Sequence, residues 1–492
     1  MRMRIGAVIA GVVLLCSVGN GQTPFALDPT FQTQISLQYV ASALPLEDGK
    51  VLIAGQFNYI GQPGVFGLAR LNTDGTFDQT FNASNLGSGK LTPWEDVFYV
   101  GTMQTVRRIQ MDGLQDMSFI EMNLGPYFSS LQGGDYHVFP DGRVVMSGVH
   151  LLEDSIRGFM GYHNFIWFTN TGYLDTTRIH RWGDGAIFRF KELPDGKFIC
   201  SGTNTTFEGQ PVDRIFRLHP DGSLDDSFDT GVFSGMGFCY LPLNNGKVVV
   251  GGNYRTDQLV NDTIWVAQFL EDGSIDPTFN RPHFSMGALP DPSGNGPAIH
   301  SIVAFQDGMF FVMGQFQYVN GQPRRGICIL DTNGDLMWPF HDQGVDPFTY
   351  MGWTYAAVNG IFPSQDSTFY YIWGAYHGYD DPTGSYPQQR FVTRLHAGDL
   401  VTAASPAGPI SSDLITLFPN PAHDHITISS PLLSGKRMFV EFRDVPGRLV
   451  KSVLSSIDEK ISTTDLTNGT YLISLRSEYS SSTCHSRLII DR

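Results

Sequence analysis

The sequence has few cysteines and few charged residues. It contains five cysteines in 492 residues, and charged residues make up 16% of the chain. The spacing of Cys200, Cys239, Cys328 and Cys484 matches no zinc or redox motif, so neither kind of site is predicted. A disulfide between Cys200 and Cys239 is one interpretation for an exported protein, and buried free thiols are the other.

Basic residues are also scarce relative to acidic ones, and the formal net charge is −16. A surface of this sign repels phosphate backbones, so no nucleic-acid partner is expected. Beyond the N-terminus the sequence has no apolar run of membrane-spanning length and no long stretch with helical periodicity. The mature chain is therefore predicted to lack a transmembrane span and to be all-β.

The N-terminus contains a short apolar run. Arg2 and Arg4 precede the apolar residues 5–18, and small residues follow. This order is typical of a secretory signal peptide, which we predict over residues 1–21, and an uncleaved N-terminal anchor is the alternative. The mature protein is thus expected to be secreted or attached to the cell surface.

Glycine is abundant, with 54 residues, and many of these glycines belong to an internal repeat. The stretch RLNTDGTFDQTFN (residues 70–82) recurs as RLHPDGSLDDSFD (217–229) and QFLEDGSIDPTFN (268–280), with weaker copies elsewhere. A second element, typified by LEDGKVLIAGQF (residues 46–57), precedes each copy. The unit recurs seven times at intervals of roughly 50 residues, a period typical of propeller blades.

Each unit contains four short apolar strands separated by turn residues. Asp-Gly pairs such as Asp74-Gly75 lie between strands and indicate hairpins, because glycine adopts positive φ without a steric penalty. Residues 22–402 are therefore predicted to form a seven-bladed β-propeller of four-stranded repeats. Residues 25–31 (FALDPTF) are similar to residues 274–279 (SIDPTF), so we expect the N-terminus to supply the missing outer strand of the last blade.

The repeat resembles a known bacterial family. Its pattern DGK…GGxF…RLxxDGSLDxSF is similar to the delta-60 repeat, which occurs in tandem in exported bacterial proteins. The resemblance extends over residues 25–402.

The C-terminal part has a different pattern. Residues 403–412 are rich in Ala, Ser and Pro and predict a linker. Short alternating strands bounded by turn residues follow, and they predict a small β-sandwich over residues 413–492.

Four motifs of this C-terminal module resemble the type A sorting domain of the type IX secretion system of Bacteroidetes. The matching residues are Pro419, Asn420, Pro421, Asp444, Gly447, Arg448, Gly469 and Tyr471, followed by a basic-apolar tail at residues 487–490. The resemblance implies passage of the inner membrane by means of the signal peptide. It further implies recognition of the module by the type IX machinery at the outer membrane, and then release or attachment to surface lipopolysaccharide.

The repeated turn has some features of a calcium loop. Asn72, Asp74 and Asp78 offer oxygen ligands near a glycine, but the carboxylate that a calcium loop needs at its twelfth position is missing. We therefore predict a structural turn in which Asp78 accepts hydrogen bonds from backbone amides and Phe81 packs between blades. No metal or other cofactor is predicted, and Ca²⁺ at this turn is the alternative.

Ligand sites are expected in three longer segments between strands, at residues 149–165, 281–300 and 375–390, because binding residues favour loops on a rigid scaffold. The last segment combines aromatic rings with carboxylates, a composition suited to stacking on a sugar and hydrogen-bonding to it. Its candidate ligand-binding residues are Tyr376, Tyr379, Asp380, Asp381 and Tyr386.

Motifs of metalloproteases, serine hydrolases and phosphate-binding loops are missing from the sequence. We therefore predict a non-enzymatic secreted or cell-surface protein whose propeller face binds a protein or a glycan. A carbohydrate-active hydrolase or lyase on the same scaffold is the alternative. Two carboxylates about 5–9 Å apart in a pocket would favour that alternative.

Overall fold

The computed structural model describes residues 23–82, 86–102, 104–121, 128–257, 262–289, 296–337, 339–397, 416–429, 437–444, 449–456, 459–477 and 480–490. The predicted signal peptide and linker lie outside these residues, as do Gly447 and Arg448 of the sorting motif. The described residues form 36 strands and one 3-10 helix, Gln306–Gly308.

The strands up to the fifth repeat are β1 (Ile35–Pro45), β2 (Val51–Tyr59), β3 (Gln62–Leu71), β4 (Leu91–Trp94), β5 (Val97–Gly101), β6 (Val106–Gln110), β7 (Phe128–Val138), β8 (Val144–Asp154), β9 (Phe159–Phe168), β10 (Ile187–Glu192), β11 (Phe198–Gly202), β12 (Thr206–Phe207), β13 (Gln210–Pro211), β14 (Ile215–Leu218), β15 (Ser234–Pro242), β16 (Val248–Arg255) and β17 (Ile264–Phe269). The remaining strands are β18 (Phe284–Ser285), β19 (Ala298–Ala304), β20 (Phe310–Gln315), β21 (Tyr318–Val319), β22 (Gln322–Pro323), β23 (Ile327–Leu330), β24 (Gly344–Val345), β25 (Phe348–Tyr350), β26 (Trp353–Tyr355), β27 (Ala357–Pro363), β28 (Phe369–Asp381), β29 (Gly384–His396), β30 (Thr416–Phe418), β31 (His425–Ser429), β32 (Arg437–Asp444), β33 (Leu449–Ser456), β34 (Lys460–Ser462), β35 (Gly469–Ser477) and β36 (Ser480–Ile490).

Seven three-stranded antiparallel meanders follow one another between β1 and β29, and they are the blades of a β-propeller. In chain order they are β1-β2-β3, β4-β5-β6, β7-β8-β9, β10-β11-β14, β15-β16-β17, β19-β20-β23 and β27-β28-β29, numbered here as blades one to seven. An isolated bridge after the third strand adds a short fourth element, as between Leu71 and Phe77 in blade one. Seven apolar clusters lie between consecutive blades, including blades seven and one, so the blades form a closed ring.

The N-terminal segment supplies the outer strand of blade seven, which confirms the expectation from the repeat. Leu27 forms an antiparallel bridge with Leu395 of β29, and the Phe25 N–H donates to the His396 carbonyl at 2.8 Å. The Phe25 side chain is buried, with its ring centroid 4.4 Å from that of Phe340. The segment thus covers the edge that β29 would otherwise expose.

The repeated outer turn is held by a carboxylate with several donors. Asp78 Oδ2 accepts hydrogen bonds from Arg70 Nε at 2.7 Å and Lys50 Nζ at 2.9 Å, and Oδ1 accepts from the Thr80 N–H at 2.9 Å. Burial by itself would raise the pKa of Asp78, but these hydrogen bonds outweigh it and hold the pKa well below its ordinary value. The predicted role of Asp78 in the turn is confirmed.

The same arginine connects its blade to the next one. Arg70 lies over the Phe81 ring, 5.2 Å from its centroid, and its Nη1 donates to the Met111 carbonyl of blade two at 2.6 Å. The equivalent bonds run from Arg108 to Asn170, from Arg217 to Glu271 and, across the closure, from Arg394 to Thr73. Phe81 itself packs against Leu91 and Phe98 of blade two, as predicted.

The glycine of the outer turn lies against the backbone of the preceding blade. Gly75 has a φ of +86°, and a Cβ at this position would lie 2.6 Å from the Gln32 carbonyl oxygen. The Gln32 N–H in turn donates to the Asp74 carbonyl at 2.9 Å. Glycine is therefore required here both by its backbone conformation and by the contact between blades.

Blade three shows why one repeat matches the pattern weakly. Trp167 stands at the position of Arg70, and Arg178 stands at the position of Phe81. The Arg178 guanidinium lies 4.2 Å from the Trp167 ring centroid, so the cation–π contact is kept with its partners exchanged.

Cys200, Cys239 and Cys328 are free thiols, so of the two interpretations the structure favours free thiols over a disulfide between Cys200 and Cys239. Cys200 packs in the core between blades three and four, whereas Cys239 packs against the core between blades five and six. The two thiols therefore face different interfaces of the ring. Burial raises the pKa of the Cys239 thiol to about 12.

The C-terminal module consists of a three-stranded sheet, β30-β31-β34, and a four-stranded sheet, β33-β32-β35-β36. One apolar cluster, which includes Ile426, Phe442 and Leu488, contains side chains from both sheets and forms the core of the sandwich. Within the described part of the chain, no helix is long and apolar enough to cross a membrane.

Candidate binding site in the central channel

The segment predicted to bind a ligand forms the hairpin between β28 and β29. Tyr376 and Tyr379 are fully buried in the core between blades six and seven. The Tyr376 hydroxyl donates to Thr393 Oγ1 at 2.9 Å, and the Tyr379 hydroxyl donates to the Phe25 carbonyl at 2.9 Å. Neither ring offers a face to a sugar, so the prediction that they stack on a ligand is corrected: this part of the segment is strand rather than loop.

The other predicted residues of this hairpin also have partners within the protein. Asp381 Oδ2 accepts a hydrogen bond from the Leu27 N–H at 2.6 Å and so holds the closing N-terminal strand. Asp380 forms an ion pair with Arg325 at 2.7 Å, and the half-buried Tyr386 places its hydroxyl 2.6 Å from Thr383 Oγ1. The structure brings the predicted residues together, but Tyr379 and Asp381 serve ring closure.

The inner strands of the blades carry a feature that the outer turns lack. Six of them contain a register shift at the same place, a β-bulge in each of β1, β7, β10, β15, β19 and β27. The residue left out of register is, in chain order, Ala41, Gly134 (with Asp135), Phe188, Phe238, His300 and Asn359. We call these six positions the bulge ring. A bulge bends its strand and re-aims a side chain. Four of the six positions line the central cavity, namely Ala41, Gly134 (with Asp135), Phe238 and His300.

Polar contacts connect neighbouring members of the bulge ring. His300 Nδ1 lies 2.9 Å from Asn359 Oδ1, and Asn359 Nδ2 donates to the Val40 carbonyl at 2.9 Å. These bonds join blades six, seven and one. Between blades two and three, Lys90 Nζ donates to Asp135 Oδ1 at 3.1 Å.

A cavity of about 510 Å³ occupies the centre of the ring and is lined by residues of blades one to six. Its charged lining residues are Lys90, Asp135, Arg189 and Lys191. Three cations and one carboxylate leave a surplus of positive charge, in a chain whose net charge is −16. Asp135 is paired with Lys90, whereas Arg189 and Lys191 have no carboxylate partner among the residues that the structure describes.

The cations of the channel affect the ionisable groups around them. Burial and repulsion from Lys90 lower the pKa of Lys191. Burial, together with Lys90 and Lys191, lowers the pKa of His137 to about 4, while burial raises the pKa of Glu192. His137 Nε2 lies 2.9 Å from Glu192 Oε2. Attraction to Asp135 and Glu192 acts on Lys191 in the opposite direction, but it does not outweigh burial and Lys90.

Carboxylate pairs were the feature expected of a glycoside hydrolase. Asp135 is the single carboxylate among the channel-lining residues that the structure describes. A carboxylate pair lies at a different cavity, where Asp213 and Asp229 both accept from the Gly231 N–H, at 2.7 and 3.2 Å. Asp213 also accepts from the Thr230 N–H at 3.0 Å, so this pair holds the turn between β14 and β15.

In the described part of the chain, no group of three or more His, Cys, Asp or Glu side chains is placed to hold a metal ion. At the repeated turn, Lys50 and Arg70 already neutralise Asp78. Calcium at this turn stays the untested alternative, and no residues are assigned to a cofactor.

The channel residues Lys90, Arg189 and Lys191 were missed in the sequence reasoning, although a signal for the channel exists. Each member of the bulge ring stands eight positions before the last residue of the following turn, as Ala41 precedes Gly49 and His300 precedes Gly308. This position changes between most blades, while the turn that follows it recurs. A position that varies within a repeat is where a repeat protein places its specificity.

The motifs of the sorting domain meet in the C-terminal sandwich. Asn420 Oδ1 accepts a hydrogen bond from the Ile489 N–H in the tail at 2.9 Å. Tyr471 in β35 pairs with Asp444 in β32 on one side and Leu488 in β36 on the other. The start, the middle and the tail of the module are therefore in direct contact.

The remaining motif residues differ in exposure and position. Pro419 and Pro421 flank Asn420, and all three are exposed. Gly469 begins β35 and pairs with Ile490.

Comparison with protein families identifies two kinds of region in the chain. Residues 46–81, 193–228 and 243–279 match the family described as "Domain of unknown function (DUF5122) beta-propeller". Residues 416–491 match the family described as "Secretion system C-terminal sorting domain". No curated protein sequence matches the chain.

Several solved structures are similar in shape at low identity. PorZ, a surface component of the type-IX secretion system of Porphyromonas gingivalis, is 13% identical with a TM-score of 0.35; the match covers 91% of this chain and 59% of PorZ. Oligogalacturonate lyase from Vibrio parahaemolyticus is 11% identical with a TM-score of 0.37 and coverages of 77% and 97%. The Neurospora crassa Pan2 WD40 domain is 8% identical with a TM-score of 0.37 and coverages of 77% and 99%. TM-scores this low support no functional argument.

The family matches agree with the geometry of both regions. The three matched propeller repeats contain the outer turns of blades one, four and five, and the matched C-terminal region is the β-sandwich. The chain therefore joins a β-propeller with DUF5122 repeats to a C-terminal sorting domain of the type IX secretion system, which marks it as a secreted or cell-surface protein.

Proposed function

We propose that this protein is a non-enzymatic binding protein of the cell exterior, and that its propeller captures a glycan or a protein at the central channel. The bulge ring is the observation that carries this proposal. Six inner strands carry a bulge residue whose type changes between most blades, on blades whose outer turns repeat, and four of these positions line the channel. Repeated positions serve the ring, so the varied positions are available for recognition.

The rigidity of the ring supports a binding role. The blades are joined by apolar cores and by arginine side chains that reach the next blade. A ligand in the channel touches several blades at once, and a preorganised site loses little conformational entropy when the ligand binds. The pairing of Asp135 with Lys90 supports electrostatic positioning rather than acid–base catalysis.

The C-terminal domain supports the proposed route to the cell exterior. The predicted signal peptide would carry the chain across the inner membrane. The sorting domain would then bind the type IX machinery, and the exposed Pro419, Asn420 and Pro421 are a surface open to that contact.

The proposal is tested by a glycan-array and surface-protein screen, with a turnover assay on each retained ligand, using the full chain. Ala41→Trp fills the channel, because Ala41 lies in its lining. Ile60→Trp, at a site that is 53% exposed on the turn between β2 and β3, is the matched control. We expect retention without cleavage, lost in Ala41→Trp and kept in Ile60→Trp.

Two outcomes would contradict the proposal. Cleavage of a retained glycan would overturn the non-enzymatic part and favour the hydrolase or lyase alternative. Undiminished retention by a folded Ala41→Trp variant would overturn the location of the site.

A further inference from the structure

We infer that the ligand of the channel is an acidic saccharide, a short sugar chain that carries carboxylate, sulfate or phosphate groups. The inference rests on the proposed function, since it names the ligand class of the same site. It is carried by three cations, Lys90, Arg189 and Lys191, that line one cavity in the centre of an acidic protein.

The cations come from two blades and act on groups of several others. Lys90 comes from blade two, and Arg189 and Lys191 come from β10 of blade four. Arg189 is within electrostatic reach of Cys239 and His300, from blades five and six. Lys191 acts on Lys90 and His137, from blades two and three. A ligand with more than one acidic group is therefore able to meet a cation on either side of the channel.

Within the described part of the chain, Arg189 and Lys191 lack the carboxylate partners that cations elsewhere in the ring have. Arg70, Arg217 and Arg394 each bind an aspartate at the outer turns. Arg189 and Lys191 are exposed to the channel, without a carboxylate partner among the residues that the structure describes. Positive charges held close together repel each other, and a bound anion relieves that repulsion.

The size of the channel and its uncharged lining favour a saccharide over an acidic peptide. A volume of about 510 Å³ lies within the range of about 300–1,000 Å³ typical of small-ligand sites. The uncharged lining includes Ser42, Thr102, Gln104, Thr105 and Ser301, whose hydroxyl and amide groups suit a ligand rich in hydroxyls. The lining rings of Tyr136, Phe190 and Tyr240 are buried in the blades, and Phe238 is half-buried, so the lining offers one partly exposed ring rather than an open apolar pocket for the anchor side chain of a peptide.

The test is calorimetric titration of the full chain with four probes: tri-glucuronate, sulfated maltotriose, neutral maltotriose and hexaglutamate. We expect at least one of the two acidic sugars to bind, and the comparison between them distinguishes carboxylate from sulfate as the recognised group. Affinity should fall between about 50 and about 300 mM NaCl, because salt screens the interaction of exposed charges. Maltotriose and hexaglutamate should bind far more weakly.

Arg189→Gln and Lys191→Gln should each weaken binding of the acidic sugar by about tenfold, as loss of a charge-assisted hydrogen bond does. Lys460→Gln removes the same charge from an exposed position in the sorting domain and should leave affinity unchanged. Unchanged thermal midpoints confirm that the variants are folded.

The outcomes separate this inference from the proposed function. Equal affinity for maltotriose, tighter binding of hexaglutamate, or full affinity in both glutamine variants would overturn the acidic saccharide. If neither acidic sugar binds while an array ligand is still lost in Ala41→Trp, the inference fails and the proposed function stands. Binding of an acidic sugar that Ala41→Trp leaves intact would overturn the channel as the site.

Discussion

The outer turns and the inner bulges lie on the same blades, but residue identity repeats from blade to blade at the outer turns and varies at the inner bulges. At the outer turns, a lysine binds an aspartate three times in the same way: Lys50 with Asp78, Lys197 with Asp225 and Lys247 with Asp276. At the inner bulges the residue type changes between most blades. A position that contacts the next blade has to satisfy the same neighbour each time, whereas a position that faces the channel is free to differ.

The largest expected effect comes from opening the ring. Deleting residues 25–31 removes the buried side chains of Phe25, Leu27 and Phe31, which should cost about 5 kcal/mol or more of the free energy of unfolding. The thermal midpoint should fall by many degrees. The control, Ala26→Ser with Leu27→Ile, copies residues 274–279 and should stay within about 1.5 kcal/mol of the parent. An unchanged midpoint in the deletion would show that the closing strand is not needed.

Each outer-turn aspartate, together with the arginine and lysine that bind it, is called a clamp here. Breaking one clamp should reduce the free energy of unfolding by somewhat less than opening the ring. Asp225→Ala leaves the buried Arg217 and the nearby Lys197 without their carboxylate, which should cost about 3 kcal/mol in urea unfolding. The neighbouring Asp226 is exposed, so Asp226→Ala should change stability by less than about 0.5 kcal/mol. Equal losses in the two variants would contradict the role given to the clamp.

Two glycines separate backbone strain from contact between blades. Gly61 and Gly75 have φ values of +78° and +86°, but a Cβ at Gly61 meets nothing within 4 Å, whereas one at Gly75 meets Gln32. Gly61→Ala should therefore cost about 1 kcal/mol from strain alone, and Gly75→Ala should cost at least about 1 kcal/mol more. Equal thermal midpoints would mean that the blades move apart without penalty.

Acid should destabilise two parts of the ring in different pH windows. Burial lowers the pKa of His150 and of His180, both in blade three, to about 4. The unfolded chain takes up these protons at a higher pH, near 6.5, so the free energy of unfolding should fall as the pH drops from about 6.5 to about 4. The clamp carboxylates Asp78 and Asp225 have pKa values below the ordinary 3.8, so their contribution is lost only at lower pH.

This difference is measured from urea unfolding at a series of pH values. His150→Gln should flatten the pH dependence between about 6.5 and about 4, because it removes one of the groups that titrate there. His283→Gln changes an exposed histidine and serves as the control. A full pH dependence in His150→Gln would contradict the assignment.

The smallest effect is expected in the channel. Lys191→Gln should leave the free energy of unfolding unchanged within about 0.5 kcal/mol, or raise it slightly at low salt, because Lys90 no longer repels a second cation. The thermal midpoint in the absence of ligand checks this. A clear loss of stability would show that Lys191 stabilises the ring, as the clamp residues do, and would contradict the distinction between the outer turns and the channel.

The outer turns of the blades could be predicted from the sequence because the same residues make the same contacts in several blades. Asp-Gly turns, the aspartate at Asp78 and the packing of Phe81 depend on neighbours that are nearly the same in the better-matched blades. The copy at residues 25–31 even predicted the closure of the ring. The sandwich was readable for a similar reason, since its motifs are short segments that pair with one another.

The ligand site predicted in the hairpin between β28 and β29 was wrong because its contacts do not recur and are distant in the sequence. Composition alone suggested that Tyr376 and Tyr379 lie in a loop, but β28 extends to Asp381 and both rings face the core. Their burial depends on the N-terminal strand, which is more than three hundred positions away in the chain. No local pattern reports such a contact.

The all-β class, the repeated blades, the closing strand and the sorting domain could all be predicted from the sequence. Each depends on local periodicity or on similarity between segments. Tertiary structure alone decided which side chains meet at the centre. Lys90 precedes β4 of blade two, whereas Arg189 and Lys191 lie on β10 of blade four, and they share a cavity only because the ring closes and bulges re-aim the inner strands. The surplus of positive charge in the channel results from this arrangement. The composition of the chain gives only its negative net charge.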